Sequence, residues 1–142
     1  MARLLLILLL VIAARSISPA VAEELLIIAN PAVAIDAPLT PKQVAAIYLL
    51  RMTAWPDGSH IVPVNRELGS AIREAFTMQV LKEDNDSLAD YWNKMHFQGK
   101  LPPLIQESEG AMLAFVHSVP GAVGYISAAT PPSGVRVIGH VP

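Results

Sequence analysis

The chain has 142 residues with ten basic and twelve acidic side chains, a formal net charge of −2, so no basic excess draws it to nucleic acid. It contains no cysteine, which excludes disulfides, thiolate catalysis and cysteine-based metal or redox sites. Met1 to Ala22 opens with Arg3, runs unbroken and apolar from Leu4 to Ala14, and closes on Ala20-Val21-Ala22 before Glu23 and Glu24. That is the layout of a cleavable secretory signal peptide, because eleven apolar residues fall short of the roughly 20 that a spanning helix needs. Cleavage there removes Arg3 and Arg15 and leaves 120 residues with 8 basic and 12 acidic side chains, a formal charge of −4. The expectation is a periplasmic protein with one domain over residues 23–142, no membrane span after cleavage, and no nucleic-acid partner.

Leu25 to Ala29 is a short apolar run bounded by Asn30-Pro31, the pattern of a buried strand. Thr40 caps a helix that opens on Pro41, and Val44, Ile47, Tyr48 and Leu50 recur at helical spacing to about Arg51. Trp55-Pro56-Asp57-Gly58 reverses the chain, and Ile61 to Val64 forms a second strand. After Gly69-Ser70 a second helix covers about Ser70 to Lys82, with Ala71, Ile72, Ala75, Phe76, Val80 and Leu81 inward and Arg73, Glu74 and Thr77 outward. Asp86-Ser87 is the expected cap of a third helix, striped by Leu88, Tyr91, Trp92 and Met95 and ended by Gln98-Gly99. Leu101-Pro102-Pro103 reads as a linker. Ser108 opens a fourth helix through Ala111, Met112, Phe115 and Val116, which Pro120 stops; Ala122 to Ile126 and Val135 to Ile138 read as strands. Strands alternating with helices give an α/β fold, a small mixed sheet of about four strands flanked by about four helices.

Most chemistry-bearing residues are scattered. His60, His96, His117 and His140 show no metal-ligand spacing, and Leu68-Gly69-Ser70-Ala71-Ile72 lacks the glycine two residues after serine that a nucleophile elbow carries. Nothing calls for a cofactor, a metal or an enzymatic activity. Glu83, Asp84, Asp86, Glu107 and Glu109 read as solvated charge, and Trp55, Tyr91, Trp92 and Phe97 read as core. Ile61 to Phe76 differs, because an apolar strand, a Gly-Ser turn and a helix opening on Ser70 make the grammar of an anion site. Arg66 lies near the end of that strand, where its planar fork suits phosphate or carboxylate oxygens. Pairing of Arg66 with Glu67, Glu74 or a loop carbonyl is an equal alternative. The candidate ligand-binding residues are Arg66, Gly69 and Ser70, with Arg73 a weaker member.

Four motifs stand in order: Leu39-Thr40-Pro41 with Ile47-Tyr48-Leu49; Trp55-Pro56-Asp57-Gly58; Val62-Pro63-Val64-Asn65-Arg66 with Gly69-Ser70 and Phe76; and Pro120-Gly121-Ala122-Val123-Gly124-Tyr125. In this order the chain, over about Leu25 to Ser127, resembles one lobe of the phosphate-binding proteins of ABC transporters, which are type II periplasmic binding proteins. The resemblance implies two lobes closing on phosphate, with an arginine, an acidic residue and a Ser-Gly-Thr turn supplied by the lobe matched here. Arg66, Gly69 and Ser70 match that pattern. Leu68 stands in place of the acidic residue, and Ala71 and Ile72 stand in place of glycine and threonine.

The resemblance thus implies half a cleft. Micromolar affinity needs about 8 kcal/mol, whereas a helix end contributes about 0.3–1 and charged hydrogen bonds about 1.5–3 kcal/mol each. Two expectations follow. One is weak capture of phosphate or a similar oxyanion, with a second wall from a homodimer or an envelope or ABC transporter partner. The other is an interaction or sensory module that keeps the fold and has lost solute binding.

Overall fold

The computed structural model describes residues 22–142. The leader reading for Met1–Ala22 lies outside these residues, Ala22 excepted. Five strands form one sheet among the described residues: β1 (Leu25–Ala29), β2 (Val62–Arg66), β3 (Leu104–Gln106), β4 (Ala122–Ser127) and β5 (Arg136–Val141), in spatial order β3-β2-β4-β1-β5. β2 runs parallel to both β3 and β4, whereas β1 runs antiparallel to β4 and β5. The sheet is therefore mixed, and the C-terminal ends of β2, β3 and β4 share one edge. Among the described residues four helices accompany it: α1 (Pro41–Tyr48), α2 (Ala71–Phe76, continued by a π-helical turn over Thr77–Leu81), α3 (Asn85–Phe97) and α4 (Glu109–Ser118).

Strand alternation assigns the two faces. Leu25, Ile27, Ala29, Val123 and Tyr125 join Val44, Ile47 and Tyr48 of α1 and Phe76 and Val80 of the α2 region in one core. Ile28, Val64, Ala122 and Ile126 face the other way, onto Met112 and Val116 of α4. Gly124 makes that second contact close, since a Cβ there would stand 2.4 Å from the Met112 sulfur and 3.1 Å from a Val116 methyl.

Several expectations shift. A fifth strand, β3, follows the Pro102-Pro103 linker; three residues with no buried member carry no alternation from which to read it. β5 reaches Val141, three residues beyond the expected end. α1 stops at Tyr48, because Leu50 turns to a positive φ of 57°. Asp84, not Asp86-Ser87, caps α3: its carboxylate accepts the Ser87 amide at 2.7 Å, three residues on as cap geometry requires. Thr77 is buried rather than outward, drawn in where the helix widens into its π turn. Trp55 is core, its indole N–H bonded to the Gly121 carbonyl at 3.0 Å, but Tyr91 and Trp92 are half-buried and Phe97 is 90% exposed. The physical reason is that α3 buries only Met95.

Candidate functional site

The site forms where β2 and β4 part. Their ladder runs through Val62–Ala122 and Pro63–Val123; Pro63 has no N–H to donate. Beyond it two tyrosines satisfy the backbone. The Tyr48 hydroxyl donates to the Val64 carbonyl at 2.7 Å, while the Tyr125 hydroxyl accepts the Arg66 amide at 3.1 Å and donates to the Asn65 side-chain oxygen. Phe76 stacks on Tyr125 at a 4.0 Å centroid separation and tilts against Tyr48 at 4.6 Å. Burial pushes the Tyr48 hydroxyl well above its ordinary pKa and that of Tyr125 up to about 12, so both remain neutral donors. These three rings fix the end of β2 and hence Asn65 and Arg66.

Arg66 is 8% exposed. Its Nε and Nη2 donate to the two carboxylate oxygens of Glu67 at 2.9 and 3.1 Å, a fork-to-fork pair. Its Nη1 is buried and meets no acceptor among the described residues. The hydrogen bonds from Arg66, aided by the Glu67 amide, hold the Glu67 carboxyl below the usual carboxylate range. Of the alternatives open for Arg66, pairing with Glu67 is therefore realised.

Gly69 takes φ +84°, a left-handed turn that glycine adopts without Cβ strain, and Ser70 follows as the N-cap of α2. The Ser70 oxygen accepts the Arg73 amide at 3.3 Å, as a cap rather than as a nucleophile. Arg73 does not look outward. It is half-buried, and its Nη1 donates to the Arg66 carbonyl at 2.7 Å. Arg66, Gly69, Ser70 and Arg73 are thus brought to one turn at the C-terminal edge of β2.

A cleft of about 520 Å³ opens beside that turn. Asn65, Leu68, Gly69 and Arg73 border it on one side; Leu88 and Trp92 of α3 border it on the other. Arg73 and Gly69 line the cleft, whereas Arg66 and Ser70 do not. Leu68 is 72% exposed at its rim. Sequence reasoning missed Asn65 and Tyr125 as site-forming residues, since they lie 60 positions apart and only the sheet joins them. Trp92 was legible as an aromatic on a helical stripe, but its place in the wall was not.

Other candidates lead elsewhere. Among the described residues no group of three or more His, Asp or Glu side chains could hold a metal ion, and the four histidines are exposed. Glu109 is not solvated: half-buried, it accepts the Ser127 amide at 2.6 Å and the Thr130 hydroxyl, pinning the end of β4 to the start of α4.

No protein-family model and no curated protein matches the chain. Solved structures do match it in fold. A Clostridium perfringens protein assigned as a phosphate ABC transporter substrate-binding protein, with bound phosphate, shares 24% identity at a TM-score of 0.64. The match covers 82% of this chain and 44% of that one. An ABC-type phosphate transport receptor from Vibrio cholerae shares 23% identity at a TM-score of 0.65 and is covered over 45% of its length. PstS from Borrelia burgdorferi gives 14% identity, a TM-score of 0.64 and 47% coverage. The chain spans less than half the length of each of these proteins, and in fold it is a single-lobe relative of the phosphate ABC transporter substrate-binding proteins.

Proposed function

We propose that this chain is an exported, periplasmic, non-enzymatic domain, cleaved after Ala22, that binds phosphate or a similar small oxyanion at the Gly69–Ser70 turn. One observation carries the reading: the fold brings Arg66 and Arg73 to one turn, the Arg73 guanidinium bonded to the Arg66 carbonyl, and Arg73 borders an open cleft. Arg73 is the accessible cation. Arg66 stands behind it with Glu67 in its fork, and the Glu67 side chain, 35% exposed, has water to swing into when an anion takes its place. Capture by this single wall is weak, and a second copy or an envelope or ABC transporter partner would supply the facing wall.

Phosphate and sulfate titrated into the exported protein should raise its Tm saturably in the millimolar range. Arg73→Ala should remove that rise and Arg66→Ala should reduce it. A Tm flat through millimolar anion overturns the reading.

The second reading is a module that has kept the fold and serves a partner. The Glu67 carboxylate already fills the Arg66 fork, and edge strand β3 leaves Leu104 and Ile105 exposed beside exposed Leu101. Sedimentation of the wild type against Ile105→Lys distinguishes the two: a complex that the variant dissociates favours the partner, and a monomer that saturates with phosphate removes it.

A further inference from the structure

The cleft offers more room than a bare inorganic ion fills. At roughly 30 Å³ per water, its 520 Å³ holds on the order of 17 water volumes, while a five-atom phosphate touching Arg73 leaves most of it filled with solvent. The far wall is apolar. Leu81, Leu88 and Trp92 face into it, and α3, which carries two of them, buries only Met95 elsewhere. The helix stands off from the body. It is tied down at the Tyr91 hydroxyl, which donates to the Leu49 carbonyl at 2.5 Å, with the Arg51 guanidinium 5.9 Å from the Tyr91 ring centre. The space beneath α3 is where an apolar body would complete its packing.

Charge selects the head group. Arg73 is the one cationic side chain in the lining and Glu74 the one anionic, the remaining polar groups being the neutral Tyr48, Asn65, Thr77 and Asn85. A formally balanced lining suits a single negative charge set against Arg73 and away from Glu74. Arg73 is held for that role, since one of its nitrogens is anchored on the Arg66 carbonyl while the planar group keeps its other donors.

We propose that the physiological ligand is a monocarboxylate with an aromatic or branched aliphatic body. Its carboxylate meets Arg73 and the Asn65 amide, and its body lies between Leu81, Leu88 and Trp92. This rests on the oxyanion reading of the turn and names the ligand class.

Calorimetric titration of the mature protein with acetate, 3-phenylpropanoate, 3-phenylpropanol and inorganic phosphate tests it. 3-Phenylpropanoate should bind roughly tenfold or more tighter than acetate, the neutral alcohol should lose most of that affinity, and Trp92 fluorescence should respond. Trp92→Ala should bring 3-phenylpropanoate down to the level of acetate, and Leu88→Asn should do the same while keeping the indole at position 92. Equal affinities for acetate and 3-phenylpropanoate, with either ion bound, overturn the inference and leave the oxyanion site standing. Equal affinities for the acid and the alcohol overturn the role given to Arg73. No binding of any anion overturns the oxyanion reading itself, and the inference with it.

Discussion

Helices α3 and α4 are comparable in length, thirteen and ten residues, yet they meet the rest of the chain in opposite ways. α4 lies directly on the sheet, let in by the missing side chain of Gly124, and seals Met112 and Val116 against β1, β2 and β4. α3 is capped by Asp84 and tied by Tyr91, but between it and the body lies a cleft rather than a core. The difference teaches where stability and recognition separate. A helix that spends its apolar stripe on the sheet is fixed, and one that leaves Leu88 and Trp92 over open space is a wall.

The largest effect should come from hollowing the α4 contact. Met112→Ala should cost about 2–5 kcal/mol in urea unfolding, whereas Trp92→Ala on α3 should cost far less. Equal losses would break the contrast. Gly124→Ala should cost about 1–3 kcal/mol by overpacking Met112, with Met112→Ala recovering part of that loss in the double variant.

At high pH the rings beneath the site should fail together. Their hydroxyls ionise less readily folded than unfolded, so stability should be full below pH 10 and fall as pH rises towards about 12. Absorbance at the phenolate band, followed beside unfolding, checks that Tyr48 and Tyr125 ionise with the transition. An earlier titration of either would place it outside the core. Smaller effects sharpen the helix comparison. Ser108→Ala removes the acceptor of the Ala111 amide and should lower global stability by about 0.5–2 kcal/mol. Asp84→Ala should speed amide exchange within α3 while leaving the global midpoint almost unchanged.

The smallest change is expected at low pH. The lowered Glu67 carboxyl contributes stability that is present above the ordinary carboxylate range and is lost as pH falls through its folded value. Glu67→Gln should flatten that acid limb, and an unchanged limb would mean that the pair with Arg66 does not persist in solution.

Much of this was legible in the residues. Thr40, Ser70 and Ser108 announced three helix starts because caps act over three residues, and Leu25 to Ala29 announced β1 because a strand buried on both faces has no polar alternation. The single-lobe fold followed from motif order. What stayed hidden depended on distance in sequence: Asn65 meets Tyr125, α4 reaches Gly124, and Leu88 faces Leu68 across a cleft only after the sheet has formed. Glu109 read as solvated for the same reason, its partners Ser127 and Thr130 being supplied by β4 and the turn after it.

The Arg66–Glu67 pair also works as a tethered competitor. Any anion arriving from solution to claim that fork must displace a carboxylate carried on the very next residue. The effective concentration of so short a tether is of millimolar order or above. The bound fraction at Arg66 then stays low until the external anion reaches that level. Under the proposed oxyanion reading, such an arrangement would answer to abundant rather than trace anion, a set point written into two adjacent side chains.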